Sequence, residues 1–221
     1  MPPSHSILDM ALPAFCAGCD TEGLALCGSC RRTLDVRLPL PPGVPLGLKA
    51  AMPLPLAQLE WCASFSGVVR SSLHRLKYSG ERRLAVPLGE AMATRWRTAG
   101  AGGELLVPVP VHASRARVRG FDQAVLLARQ ASRALGIPLL VALERSRNTS
   151  PQFDLGRSQR WANVHGAFVL RGPTDASAVR GRWIVLVDDV VTTGSTLVAC
   201  ADALYDAGAV AVSALTVARE R

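Results

Sequence analysis

Two aspartates side by side, Asp188 and Asp189, end a run of five apolar residues that begins at Trp183. Shortly after them come Thr192, Thr193, Gly194, Ser195 and Thr196. A short continuous apolar run reads as a buried strand of a parallel sheet, and ligands of open α/β sheets bind beyond the carboxyl ends of such strands. A helix starting near Ser195 offers unpaired backbone N–H groups and a partial positive charge, which suit a phosphate. The hydroxyls of Thr192, Thr193, Ser195 and Thr196 add donors, and Gly194 lets the backbone close around the anion. Paired carboxylates do not bind phosphate, but they accept hydrogen bonds from adjacent hydroxyls such as those of a ribose. The strand, loop and helix therefore fit a ribose 5-phosphate, with the diol on the acids and the phosphate on the loop. Two other readings weigh less. A Walker B strand end holding magnesium needs a Walker A partner, and neither lysine, Lys49 or Lys77, follows a glycine. A plain helix cap at residues 192–196 leaves two acids on a buried strand end unexplained.

The second group is Cys16, Cys19, Cys27 and Cys30, two CxxC pairs seven residues apart. Two such pairs can each grip one edge of a tetrahedral zinc ion through bonds of about 2.3 Å. The short spacing gives a compact knuckle, and four thiolates leave no open position for substrate, so the expected role is structural. The alternatives are disulfides, disfavoured without a secretion signal, and an iron–sulfur site. Cys62 lies in an apolar strand and Cys200 on one helical face with Leu197 and Leu204, so both read as core residues.

These groups need a scaffold, and the rest of the chain supplies its outline. Its 221 residues suffice for one α/β domain and a small appendage. No stretch approaches the roughly 18 uninterrupted apolar residues of a membrane span. The N-terminus lacks a basic segment before its apolar residues and carries Asp9, so a cytoplasmic protein with no membrane attachment is expected. The formal charge is +8, nearly all of it from arginine, whose fork bonds two phosphate oxygens at once. Zinc on four thiolates lowers the working charge to about +6. Such a chain attracts anions without saying which, and a solvated basic surface gives the same total.

Three regions separate: a zinc module at 1–35, a proline-rich linker at 36–58 with Pro39, Pro41, Pro42, Pro45, Pro53 and Pro55, and a domain at 59–221. In the last, strands are expected at 61–65, 105–109, 138–143, 167–170, 183–187 and 210–217. Helices are expected at 68–78, 84–97, 123–135 and 195–207. Leu84, Leu88, Met92 and Trp96 recur every four residues, and Gly136 and Gly208 close two of the helices. Strands separated by helices imply crossover connections and a mainly parallel sheet.

The segment 187–196 resembles the motif with which type I phosphoribosyltransferases bind phosphoribosyl pyrophosphate (PRPP). Leu76-Lys-Tyr-Ser-Gly80, Val107-Pro-Val-Pro-Val-His112, Arg119-Gly-Phe-Asp-Gln123 and Arg160-Trp-Ala-Asn-Val-His-Gly-Ala-Phe168, behind a double CxxC, are similar to the ComF/GntX family. The likeness runs in order over nearly the whole chain. Asp122 departs from it, since the family usually has asparagine there. The resemblance implies a type I phosphoribosyltransferase fold that binds PRPP with magnesium bridging ligand oxygens, Asp188 and Asp189 holding the ribose. It places the pyrophosphate on a turn at 108–119 with His112, Arg115 and Arg119; a solvated basic loop is the alternative. It gives Lys77 a phosphate-site role, against the plain surface charge that a helix C-terminus favours. It makes 145–160, with Arg145, Gln152, Arg157 and Arg160, a loop that closes over the reaction centre and excludes water. The acceptor would be a nucleobase nitrogen or an amine. The family is associated with natural transformation, so single-stranded DNA and a helicase-like competence protein are the partners it implies. A second reading follows, a PRPP- or nucleotide-binding protein without catalysis. Aromatic residues are only 5% and form no row of stacking platforms, which counts against extensive base stacking.

Overall fold

The computed structural model describes residues 13–42, 55–100, 102–111, 120–145 and 166–220. A short helix α1 (Gly28–Arg31) lies within the cysteine module. Then come β1 (Leu59–Ser64), α2 (Gly67–Tyr78), α3 (Ala85–Thr98), β2 (Leu105–Pro108), α4 (Gln123–Leu135), β3 (Leu143–Arg145) and β4 (Phe168–Leu170). The chain continues with α5 (Pro173–Val179), β5 (Trp183–Val191), α6 (Ser195–Asp206) and β6 (Ala211–Arg219). The main sheet has the order β1-β6-β5-β2, and every pair in it is parallel. The connection from β5 to β6 runs through α6, a crossover of the kind parallel pairing requires.

Local signals explain most of these elements. Leu84, just before α3, and Leu88, Met92 and Trp96 within it form one buried stripe, as their spacing requires. Asp122 caps α4 by accepting from the amides of Ala124 and Val125, and Gly136 closes it, so both ends fall where expected. Helix α5 was not anticipated, although Pro173 at its first turn and Asp175 behind it are start signals.

Two strands differ from expectation. β5 runs four residues beyond 187, because β6 continues to offer it a ladder as far as the pairing of Val191 with Arg219. Asp188 and Asp189 therefore lie inside the strand instead of just past it. The run at 138–143 makes only a parallel bridge, Leu139 beside Leu106, and then leaves the sheet. Its end enters β3, which pairs antiparallel with β4 and buries Ala142 and Leu143. An apolar run of this length carries no information about which partner it takes.

Two cores flank the sheet. Helices α2, α3 and α4 pack on one face, together with Cys16, Ala17, Leu26 and Leu34 of the cysteine module. Helix α6 and the β3–β4 ribbon pack on the other. Cys62 and Cys200 are fully buried, one in each core. A buried ion pair ties the edge strand to the segment that follows the module. Arg95 of α3 donates to Glu60 of β1 at 2.8 Å, and both are fully buried. The same guanidinium donates to the carbonyls of Arg37, Leu40 (3.0 Å) and Pro41 (3.2 Å). Among the described residues no helix is long and apolar enough to cross a membrane.

Candidate functional site

β5 is a central strand, and its carboxyl end carries both acids. Successive side chains of a strand point to opposite faces, and the two carboxylates diverge accordingly. Asp188 lines an open cup with residues 190–197. Asp189 is buried and meets Lys77 from α2, Nζ to Oδ2 at 2.7 Å. The Asp189 amide donates to Asp188 Oδ1 at 2.8 Å, which ties the pair together. Desolvation, and then the negative charge of Asp189, push the Asp188 carboxyl well above the usual carboxylate range.

The cup wall is the turn from β5 into α6. Gly194 takes a left-handed conformation (φ 81°) immediately before the helix, where a side chain would be strained. Gly194 has no side chain to cap α6, and the Ser195 amide makes only a long bond to Thr193 Oγ1 at 3.4 Å, so the helix N-terminus borders the cup. Thr193 Oγ1 lies 3.0 Å from Ser195 Oγ, and Thr196 completes the hydroxyl-bearing rim. Donors, a helix N-terminus and one carboxylate at its edge are what a phosphorylated polyol would need.

Asp122, which the sequence marked only as a departure, has a positioning role. Oδ1 caps α4, and Oδ2 accepts a long bond from the Val111 amide at 3.4 Å. It thus ties Val111 to the start of α4. Burial raises its pKa, with the charge of Asp189 contributing in the same direction, against three backbone donors. Its place before an apolar-periodic run is a cap signal that the sequence already carried.

The structure brings together Asp188, Asp189, Lys77 and Thr192, Thr193, Gly194, Ser195 and Thr196. Arg145 ends β3, at the start of the proposed covering loop, with its guanidinium over the Phe168 ring at 5.5 Å. Its charge and that of Asp188 both act on the buried thiol of Cys200. His112, Arg115, Arg119, Gln152, Arg157 and Arg160 lie outside the described residues.

The four cysteines of the module place their sulfurs within 4.8 Å of one another. Bonds of about 2.3 Å to one tetrahedral ion require sulfur separations of about 3.8 Å, and Cys19 and Cys27 are 3.7 Å apart. The amides of Gly18 and Cys27 both donate to Cys16 Sγ at 3.4 Å. Burial opposes ionisation of Cys16, but these donors outweigh it and bring its pKa down to about 6. A Cβ on Gly18 would stand 2.6 Å from Cys30 Sγ, so only glycine lets the first pair approach the second this closely. The donor set fits one thiophilic metal ion.

Comparison with known proteins agrees with this arrangement. The phosphoribosyl transferase domain family matches residues 122–221, which include both acids and the cup. The DNA utilization protein YhgH of Escherichia coli (strain K12) is 34% identical over 175 residues, 76% of this chain and 75% of that protein. Competence protein F of Haemophilus influenzae is 41% identical over 95 residues, 42% of this chain and 41% of its own. Competence protein ComFC of Bacillus subtilis (strain 168) is 27% identical over 158 residues, 71% and 62% of the two chains. A parallel sheet with acids at a central strand end, a transferase domain match and a relative one-third identical over three quarters of its length place the chain in one family: it belongs to the ComF/GntX proteins, with the type I phosphoribosyltransferase fold.

Proposed function

We propose that this chain is a cytoplasmic protein that binds PRPP with magnesium in the cup beside Asp188 and transfers the phosphoribosyl group to a nitrogen nucleophile. The observation that carries this reading is the juxtaposition of Asp188 with the N-terminus of α6 and its hydroxyl rim. In it, the 5-phosphate takes the amides and hydroxyls of residues 192–196. Asp188 and Asp189 accept from the ribose hydroxyls, Asp189 exchanging part of its contact with Lys77 for the diol. Lys77, at the end of α2, stays beside the acids and limits their mutual repulsion. His112, Arg115 and Arg119 neutralise the pyrophosphate as it leaves, and Arg145, Gln152, Arg157 and Arg160 cover the site and exclude water. Magnesium, bound through ligand oxygens, would supply further neutralisation of the leaving group. The negative charge of Asp189 favours the positive character that develops at C1 during displacement. In this reading residues 1–35 are a structural zinc module, 36–58 a linker and 59–221 the transferase-like domain.

The printed names of the relatives refer to DNA utilization and competence, and the net charge of +8 favours a polyanion. We therefore keep a second reading, in which the site binds PRPP without turnover while the protein handles single-stranded DNA with a helicase-like partner. Calorimetric titration with PRPP and magnesium tests the first. Wild type should bind, and Asp188→Asn/Asp189→Asn should fold but not bind. Equal affinity in the two proteins, or no binding in wild type, refutes the site. Pyrophosphate release that depends on an added acceptor separates transfer from binding alone. DNA affinity that falls steeply with salt supports the second reading.

A further inference from the structure

Helix α2 joins two features that the chemistry above leaves unconnected. At its carboxyl end Lys77 reaches Asp189 at 2.7 Å. Earlier in the same helix, two side chains grip the backbone of the cysteine module. Ser71 Oγ donates to the carbonyl of Ala17 at 2.6 Å, and Ala17 is buried. Arg75 donates to the carbonyl of Phe15 at 3.3 Å and pairs with Asp20 at 2.5 Å. The fit is close, since a Cβ on Gly18 would also lie 2.9 Å from Val68 near the helix start. The gripped residues flank Cys16 and Cys19, so the backbone that accepts from α2 is the backbone a bound metal tightens. Lys77 lies six residues beyond Ser71, about 9 Å along the helix axis. A tilt at Ser71 is therefore carried to Lys77, whose hydrogen-bonded contact with Asp189 at 2.7 Å weakens as it lengthens or loses alignment.

We propose that the metal-loaded cysteine module positions Lys77 over Asp189 through α2, with Ser71 and Arg75 as the positioning residues, so that metal occupancy sets the affinity for PRPP. The affinity clause rests on the reading of Asp189 and Lys77 as part of the PRPP site; the positioning clause does not. Neither Ser71 nor Arg75 touches the cup or the acids. Both act through Lys77.

The chain has only two lysines, Lys49 and Lys77, so acetylation by a water-soluble ester followed by peptide mass spectrometry reads each one separately. In the zinc-loaded protein Lys77 should react slowly, being largely covered and paired. In zinc-loaded Ser71→Ala/Arg75→Ala, zinc content should stay the same while Lys77 reacts several-fold faster relative to Lys49. PRPP affinity, measured by calorimetry on the same samples, should fall about tenfold, the scale of coupling through a packed element. In a Lys77→Met background the same two substitutions should cost no further affinity, because they act through the residue already removed. A Lys77 rate unchanged by Ser71→Ala/Arg75→Ala overturns the positioning, whether or not PRPP binds. Additive losses in the Lys77→Met background overturn it as well. If wild type ignores PRPP while Lys77 still responds, the ligand reading and the affinity clause fall and the positioning stands.

Discussion

Replacing Lys77 with methionine should cost the protein a measurable part of its stability, and the structure sets the scale. Methionine keeps the apolar stem and removes the charge 2.7 Å from Asp189. Asp189 has 7% of its side chain exposed, and Lys77 19%. Removing one partner of a buried pair costs about 3–5 kcal/mol, because the other charge stays behind without compensation. The partial exposure of Lys77 puts the expected loss at the lower end, about 3 kcal/mol. For a chain of this size about 1 kcal/mol corresponds to about 2–4 °C, so Tm should fall by about 6–12 °C. Thermal unfolding followed by circular dichroism at pH 7 measures this. Adding Asp189→Asn to the Lys77→Met variant removes the stranded charge and should restore most of the loss. A Tm within about 2 °C of wild type, or no rescue by Asp189→Asn, refutes the description of Lys77 and Asp189 as a coupled buried pair.

Asp188→Asn should raise stability at neutral pH. The folded pKa of Asp188 is elevated, so the folded state keeps a proton that the unfolded chain has lost. Stability then falls as pH rises from about 3.9 through the elevated value. Scanning calorimetry between pH 4 and pH 8 should show a Tm gain for Asp188→Asn that grows with pH, and a gain independent of pH contradicts the assignment. Metal analysis should find about one zinc ion per chain; a Cys16→Ser/Cys19→Ser protein with full metal content would dispose of the knuckle. Arg95→Ala leaves Glu60 buried and strips donors from the carbonyls of Arg37, Leu40 and Pro41. It should cost about 3–5 kcal/mol or more by denaturant titration, with Arg95→Met/Glu60→Gln recovering much of it.

Much of the scaffold was legible because its signals are local. The end of α4 came from Gly136, and the stripe on α3 from a four-residue recurrence. The two CxxC pairs named a metal site through ligand type and spacing alone, and the sulfurs do converge. The strand, loop and helix at 183–196 were readable for the same reason, since an apolar run, a glycine and a hydroxyl cluster act within a few residues. The end of β5 was missed because it depends on how far β6 continues beside it, a property of the neighbouring strand.

The sequence by itself determined the chemistry available: two acids, a glycine turn rich in hydroxyls and four thiols, each on an element its own residues specify. Tertiary structure decided which groups face one another. It turned Asp188 to the cup and Asp189 to Lys77, a residue 112 positions earlier in the chain. It placed Arg95 against Glu60, and Ser71 and Arg75 against the cysteine module. Propensity, caps and periodicity work through backbone geometry over one or two turns. A pairing between distant side chains depends on how whole helices seat on the sheet, and no local spacing encodes that.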